Sequence, residues 1–333
     1  MKKKKPDIFL GITMVMLVLA AVLCVAILLA QKAGQKTPAN NTLTATQPAK
    51  ETKDNNDVPP ESTDQNTNPS GNTDTEPVPL TGDPIKADEL KKALNEKIGP
   101  FVSQWQVTVF DPANNQKVES FNKGGSNPIS SADDLMKSVS LVRLFVMADT
   151  YQQVKDGTLK EEDVSADLTA MITKGDKAAG DRLVEVLGGG DAAKGREHVK
   201  AYAQKLGYKI GFNRPFQGNS DKFNYISSVS AASVLNKIVR GECVSPEYDK
   251  KMVDLLFAVE KDEIDLGIQG EGVTKGFLCD VVDGFSIGAA GIINNGERIY
   301  VVCLISNEIK SMDSGKKMTP EILQIIQPYF VKK

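Results

Sequence analysis

The sequence predicts a mixed α/β (α+β) fold, in which an antiparallel sheet is flanked by helices and carries an inserted helical subdomain. Residues 105–110 alternate between apolar and polar side chains, and a Pro-Ala-Asn-Asn turn separates them from a second strand at residues 117–121. Helical patterns then dominate as far as residue 259, and strand patterns return at residues 285–305. Because the two groups of strands must meet to complete one sheet, we expect the helices between them to form an insertion.

Hydrophobic periodicity defines the individual helices. Residues 87–98 predict an amphipathic helix with one apolar face, whereas residues 138–154 are apolar on nearly all sides, as in a helix buried at the centre of a domain. An Asn-Asn-Gly turn at residues 294–296 joins the last two strands as a hairpin. Further helices are predicted at residues 181–187, 195–206, 230–239, 247–259 and, as the closing element, 320–330.

The N-terminus predicts a membrane anchor. Residues 1–7 form a basic start that is rich in lysine, and residues 8–30 are uncharged and apolar. At about 1.5 Å per residue, a helix of this length spans a bilayer core of roughly 30 Å. The run is too long for the apolar part of a cleaved signal, and no small-residue cleavage site follows it. We therefore expect a single-pass anchor in a bacterial plasma membrane, with the lysines in the cytoplasm and the rest outside. A cleaved signal is the alternative.

Between this anchor and the folded part lies a stretch with the composition of a disordered stalk. Residues 31–85 are rich in Thr, Asn, Pro and Asp, and they lack aromatic side chains. Such a stretch cannot bury enough apolar surface to fold. The folded domain is therefore expected to occupy residues 86–333.

Composition excludes several classes of function. A formal net charge of −3 gives no basic footprint of the kind that binds nucleic acid. Cys243, Cys279 and Cys303 have no spacing typical of a metal site, so neither a metal nor another cofactor is expected. These are the three cysteines of the part downstream of the predicted anchor, and their odd number leaves two interpretations open, one disulfide or three buried thiols.

A histidine-dependent serine triad is also excluded. His198 is the single histidine of the chain, and its charged neighbours predict a solvated position on a polar helix. Residues 284–288 match the G-x-S-x-G pattern of a nucleophile elbow, but that elbow needs a strand, a sharp turn, a helix and a later histidine. Here the pattern lies in a strand-rich stretch with no histidine after it, so we interpret it as a coincidence.

Without histidine, a reactive serine needs another base, most simply an amine one helical turn away. Residues at positions i and i+3 share one face of a helix. Ser140 and Arg143 have this spacing at the start of the apolar helix.

Here the sequence resembles a known family. The run Trp-x-Val-x-Val-x-Asp at residues 105–111, followed by Ser-Val-Ser-Leu-Val-Arg-Leu-Phe-Val-Met-Ala at residues 138–148, is similar to the start of a class A β-lactamase-like domain. Domains of this family are penicillin-recognising serine hydrolases. The likeness continues through residues 171–178 and reaches the strands after residue 273, so it covers nearly all of residues 86–333. It implies the β-lactamase/transpeptidase-like version of the predicted fold.

The catalytic motifs of that family are altered one after another. Where the family has Ser-x-x-Lys, this chain has an arginine in place of the lysine. Where the family has Ser-Asp-Asn, this chain has Gly-Asp-Lys at residues 175–177, and where the family has Lys-Thr-Gly, this chain has Thr-Lys-Gly. Where the family carries a deacylating glutamate, near residues 213–216, no Glu occurs, and Phe216 or Gln217 is the nearest candidate. The resemblance implies catalytic candidates at Ser140, Arg143, Asp176 and Lys177, and substrate-binding candidates at Thr274, Lys275 and Gly276.

The arginine changes the expected function. A guanidinium keeps its proton near neutral pH, so Arg143 cannot accept the proton of Ser140. Losing a positioned general base costs about 10²–10⁴ in rate. We therefore predict a domain that has kept the fold and lost most of the chemistry. Its ligand would be a cell-wall peptide or a β-lactam-like molecule, bound at the cell envelope.

Three alternatives remain open. The domain is a slow β-lactamase or acyl-serine peptidase if Ser140 still reacts. A lysine desolvated beside Arg143 would have a lowered pKa, so Lys177 is a hypothetical substitute base. If Arg143 and Phe216 instead fill the cleft, the domain is a purely structural or partner-binding module.

Overall fold

The structure is a computed structural model that describes residues 80–138, 140–218, 221–260, 266–268, 273–283 and 285–331. All of these residues belong to one unit of the chain, Asn72–Lys333. The predicted anchor at residues 8–30 and the predicted stalk as far as residue 79 lie outside the described residues. Within the described ranges, no helix combines the length and the apolar character that crossing a membrane requires.

An antiparallel sheet forms the centre of the fold. Its strands are β1 (Gln104–Asp111), β2 (Gln116–Phe121), β5 (Thr274–Val282), β6 (Ser286–Asn294) and β7 (Ile299–Asn307). They are arranged in the order β2-β1-β7-β6-β5. The first two strands meet the last three where β1 pairs with β7, which confirms that the two groups complete one sheet. A second, short sheet pairs β3 (Met136–Lys137) with β4 (Tyr225–Ile226).

Most of the helices lie between the two groups of strands along the chain, as the sequence predicts. The helices are α1 (Ala87–Ile98), α2 (Arg143–Lys155), α3 (Glu161–Thr173), α4 (Lys177–Leu187), α5 (Ala192–Lys205), α6 (Ser228–Val239), α7 (Pro246–Phe257) and α8 (Met312–Ile326), and a 3₁₀ turn follows at Gln327–Tyr329. Helices α1 and α8 contact each other, whereas α2 to α7 form the inserted helical part.

The sheet is buried on both faces, and each face belongs to a different apolar core. Side chains of a strand point alternately to opposite faces. Accordingly, Val301, Cys303 and Ile305 of β7 pack in the core shared with the helical part. Val302 and Leu304 pack in the core shared with α1 and α8. A sheet covered on both sides explains why β7 reads as a continuous apolar run.

Helix α2 lies at the centre of the helical part. It contacts helices α3 to α7, and residues 144–148 are fully buried. This agrees with a helix that is apolar on nearly all sides. The helix begins at Arg143, however, five residues later than the pattern predicts, because the residues before it form a turn.

The last helix is longer than predicted, and its start differs. The sequence suggested a helix at residues 320–330, beginning at the proline. In the structure α8 begins after Ser311, whose hydroxyl accepts a hydrogen bond from the backbone N–H of Ser314 at 3.2 Å, and Pro320 lies inside the helix. A serine cap at the start outweighs the general preference of proline for the first helical turn. Helix α3 and the short strands β3 and β4 were not predicted.

The final residues of the predicted stalk are held against the domain. The backbone N–H of Ile85 donates to Oε1 of Gln116 at 2.8 Å, and the carbonyl of Gly82 accepts from Nδ2 of Asn114 at 3.0 Å. Ile85 is buried, and Leu80 packs against the core. Residues 80–85 therefore form part of the folded unit.

Candidate active site

Ser140 lies in a tight turn that leads directly into α2. The backbone N–H of Arg143 donates to the carbonyl of Ser140 at 3.0 Å, the first of three successive i to i+3 hydrogen bonds in this turn. Ser138 fixes the start of the turn, because its N–H donates to the carbonyl of Asn224 at 2.8 Å and its hydroxyl accepts from the N–H of Val142 at 3.3 Å. The turn thus presents Ser140 at the N-terminal end of the buried helix.

The hydroxyl of Ser140 faces a carboxylate that the sequence analysis missed. Its Oγ donates a hydrogen bond to Oδ2 of Asp280, on strand β5. The other oxygen, Oδ1, accepts from the N–H of Val281 at 2.7 Å. Ser140 is 4% exposed and Asp280 is 6% exposed. An acidic residue within the apolar run of residues 277–281 is the signal that marked this position, since buried Asp is rare without a partner.

Arg143 joins the serine, the carboxylate and α3. Its Nε donates to the carbonyl of Ser140 at 3.2 Å, and its Nη1 donates to the carbonyl of Met171 at 3.1 Å. Its Nη2 lies 4.0 Å from Oδ2 of Asp280. Arg143 is itself buried, so the guanidinium and the Asp280 carboxylate form an ion pair with little access to water.

The segment that replaces Ser-Asp-Asn lies beside this arginine. Gly175 has a φ of +67°, and a Cβ there would lie 3.3 Å from Nη1 of Arg143, so the backbone and the arginine both favour glycine. Asp176 caps α4, with Oδ1 accepting from the N–H groups of Ala178 at 2.8 Å and Ala179 at 3.1 Å. Asp176 therefore holds the loop rather than contacting Ser140.

Lys177 is exposed at the first position of α4. The hypothesis that it serves as the base required a desolvated amine beside Arg143. Because its side chain is open to water, that condition is not met. Lys177 faces the outer cleft instead.

Residues 274–276 are not brought together with Ser140. They pair with residues 292–294 of β6 at one end of β5, whereas Asp280 lies six positions beyond Thr274 and four beyond Gly276. At roughly 3.3 Å per residue, these separations are about 20 Å and about 13 Å. A Cβ on Gly276 would lie 2.5 Å from the carbonyl of Leu256, so this end of the strand packs against α7. The predicted strand does reach the serine, but through Asp280 rather than through Thr274, Lys275 and Gly276.

A cleft of about 1140 Å³ lies between α4, the end of β5 and the loop before β4. Lys177 and Asp181 line it from α4, Asp283 lines it from the end of β5, and Arg214 and Phe216 line it from the loop. Neither Ser140 nor Arg143 is among the described residues of its lining. The hydroxyl of Ser140 is therefore less accessible than the cleft beside it.

The loop that forms one wall of the cleft is fixed by hydrogen bonds. The two carboxylate oxygens of Asp181 accept from the N–H groups of Phe216 at 2.7 Å and Gln217 at 3.0 Å. The ring of Phe216 packs on Gly180, where a Cβ would lie 2.8 Å from Cδ2 of the ring. Phe216 thus occupies part of the wall, but it does not fill the cleft.

His198 is not simply solvated, as the sequence suggested. Its Nδ1 lies 2.8 Å from Oδ2 of Asp149, on α2, and its side chain is 42% exposed. Burial raises the pKa of Asp149, and the hydrogen bond to His198 opposes that rise. The polar sequence around His198 concealed this contact, because the partner lies in another helix. The pair is separate from the contacts of Ser140 described above.

The remaining candidates are structural. Cys243, Cys279 and Cys303 are all buried, and burial raises the pKa of the Cys243 thiol to about 12. Ser286 of the G-x-S-x-G pattern is buried at the start of β6, not in a strand–turn–helix elbow. Among the described residues, no group of three His, Cys, Asp or Glu side chains has the arrangement of a metal site.

The fold and the serine at the start of a buried central helix define a class A β-lactamase-like domain. A family model described as the Beta-lactamase enzyme family matches residues 163–329. The chain belongs to this family.

Solved structures agree on the fold. The chain is similar to the β-lactamase from Sphaerobacter thermophilus, with 16% identity and a TM-score of 0.59 over 74% of this chain and 98% of that one. It is similar to TLA-1 extended-spectrum β-lactamase, with 14% identity and a TM-score of 0.63 over 74% of this chain and 99% of that one. It is also similar to PBP-A, with 15% identity and a TM-score of 0.59 over 75% and 99%. No curated protein matches the sequence.

Proposed function

We propose that this chain is a β-lactamase-like domain of the cell envelope that binds a ligand in its cleft and is impaired in turnover. The single observation that carries the proposal is the position of Arg143. Its guanidinium occupies the place of the family lysine and donates to the carbonyls of Ser140 and Met171. Because a guanidinium does not accept protons near neutral pH, the lysine base of the family motif has no equivalent at this position.

The cleft supports a ligand that carries a carboxylate. Lys177 and Arg214 both line it. The aromatic side chains of Phe216 and Phe223 provide apolar contact area beside these cations. A cell-wall peptide that ends in a free carboxylate, or a β-lactam-like molecule, has this combination of groups. A variant of PBP-A has been solved as an acyl-enzyme complex with penicillin G, which makes penicillin G the first probe.

The proposed location is extracytoplasmic. The lysine-rich residues 1–7 and the apolar residues 8–30 support a single-pass anchor in a bacterial plasma membrane with its N-terminus in the cytoplasm. The composition of the stretch that follows supports a stalk that carries the domain away from the membrane. Labelling of single cysteines, placed before and after the anchor, with a membrane-impermeant reagent tests this orientation.

A slow acyl-serine hydrolase is the second candidate, and one contact favours it. The hydroxyl of Ser140 donates to the carboxylate of Asp280, so the serine has one described acceptor for its proton.

The test compares binding with turnover. We expect penicillin G to bind the full-length chain in detergent micelles by isothermal titration calorimetry, with binding weakened at least several-fold in Lys177→Ala and Arg214→Ala. Glu185→Ala is the matched control on the exposed face of α4. Consumption of penicillin G should stop at one equivalent or less per protein molecule. Steady hydrolysis over many turnovers would favour the second candidate, and absence of binding would contradict the proposal.

A further inference from the structure

Strand β5 carries a carboxylate, that of Asp280, in contact with the candidate nucleophile Ser140. Oδ2 of Asp280 accepts the hydrogen bond of the Ser140 hydroxyl, so the serine proton already points at a group that accepts protons. Both side chains are less than one-tenth exposed. Hydrogen-bond contact between a nucleophile and a positioned acceptor is the geometry that general-base catalysis requires.

Arg143 holds this acceptor in place. Its Nη2 lies 4.0 Å from Oδ2 of Asp280, while its Nε donates to the carbonyl of Ser140 at 3.2 Å. One guanidinium therefore fixes both members of the serine–carboxylate pair. A buried carboxylate is costly without a nearby cation, and Arg143 supplies that cation. Arginine cannot replace the lysine as a base, but it is suited to position one.

We propose that Asp280 is the general base for a single acylation of Ser140 by a strained lactam or an activated ester. Oγ of Ser140 forms a bond to the carbonyl carbon of the acyl donor, and its proton passes to Oδ2 of Asp280. The bond from that carbon to the leaving nitrogen or oxygen then breaks, and the proton passes from Asp280 to the leaving atom. With an ester, the products are the acyl-serine and a released neutral alcohol or phenol; with a lactam, the protonated nitrogen stays attached to the ring-opened acyl-serine. Asp280 is restored in both cases.

The acyl group should remain on the serine. Its removal needs a second base that activates water, and the loop of residues 212–218 contains no carboxylate. Asp181 contacts this loop, but its two oxygens are engaged by the N–H groups of Phe216 and Gln217. The inference rests on the proposed function, because the acyl donor must first occupy the cleft.

The experiment measures acylation of the full-length chain in detergent micelles. Penicillin G and p-nitrophenyl acetate are the two acyl donors, and intact mass with peptide mapping follows the adduct. We expect one adduct on Ser140 that Ser140→Ala abolishes. Asp280→Asn should slow its formation about 10²-fold or more, whereas the exposed Asp313→Asn should not change it.

A second variant separates a base from a purely structural residue. In Arg143→Lys/Asp280→Asn, the lysine restores an amine one turn from Ser140, so the adduct should return. If circular dichroism shows this variant to be folded and no adduct forms, Asp280 has a structural role and the inference is overturned. Equal rates in the parent and Asp280→Asn would overturn it as well.

The remaining outcomes distinguish this inference from the proposed function. If neither acyl donor modifies the parent protein but penicillin G still binds to Ser140→Ala, the proposed acylation is wrong and the proposed binding function stands. If there is neither an adduct nor binding, both the inference and the proposed function are wrong.

Discussion

Gly175 and Arg143 are neighbours in space, and each restricts which side chain the other position can carry. The glycine has a positive φ, and a Cβ there would lie 3.3 Å from Nη1 of the arginine. A serine at this position, as in the family motif, would need both a strained backbone and a displaced guanidinium. The identities of these two positions are therefore connected through one contact.

Gly175→Ser should destabilise the domain by about 1–2 kcal/mol for the left-handed backbone alone, with a further loss from the contact with Arg143. The matched control is Gly189→Ser, because Gly189 has a φ of +64° and nothing lies within 4 Å of its Cβ position. Urea unfolding measures the loss of stability in both variants. Equal losses in the two variants would contradict the restriction by Arg143.

Asp149 and His198 form the second residue-scale prediction. Burial raises the pKa of Asp149 above its ordinary value of 3.8. The folded state then binds a proton more readily than the unfolded state, so the free energy of unfolding falls as pH rises from about 4 through the raised pKa. Asp149→Asn should remove this part of the pH dependence, while Asp83→Asn, at an exposed position, should leave it unchanged. Urea unfolding between pH 3.5 and pH 7, at roughly half-unit steps, measures the slope; an unchanged slope in Asp149→Asn would contradict the assignment.

At the scale of elements, the wall of the cleft depends on a helix. Asp181 of α4 accepts hydrogen bonds from two backbone N–H groups of the loop, and hydrogen bonds to a charged acceptor contribute about 1.5–3 kcal/mol each. The loop is therefore held by a side chain outside it.

Asp181→Ala should free those two N–H groups. We expect hydrogen exchange at Phe216 and Gln217 to rise about tenfold or more, as the loss of such a hydrogen bond implies. Exchange in α2 should not change. Glu185→Ala, on the same helix at an exposed position, is the control. Unchanged exchange at both amides would show that other contacts hold the loop.

Elements also show what the sequence could predict. The sequence located α2 because a helix that is buried on every side has apolar residues on every side. The residues that contact across elements were harder to predict. Asp280 was missed and residues 274–276 were favoured, because a motif match does not tell which residue of a strand lies beside a given residue of a helix. The partner of His198 was missed for the same reason, since Asp149 lies in a different helix.

At the scale of the whole molecule, a buried ion pair joins the last residue of β1 to the residue just before β7. Nη2 of Arg298 lies 2.7 Å from Oδ2 of Asp111, and the side chains are 10% and 0% exposed. Removing one member of such a pair leaves an uncompensated buried charge, which costs about 3–5 kcal/mol.

Asp111→Ala should therefore lower the free energy of unfolding by about 3–5 kcal/mol. The control is Asp167→Ala, which removes the partner of the exposed Arg182 and should leave the urea midpoint nearly unchanged. Similar losses in the two variants would show that burial of the pair does not determine its contribution.

The pairing of β1 with β7 has a consequence for how the domain forms. The ladder from Gln104↔Asn307 to Phe110↔Val301 joins segments that are roughly 200 residues apart, and contacts of such long range slow folding. A nascent chain that ends before residue 299 leaves one edge of β1 without a partner, and unpaired edges invite association with other chains. Synthesis must therefore pass residue 299 before strand β1 is protected on both sides.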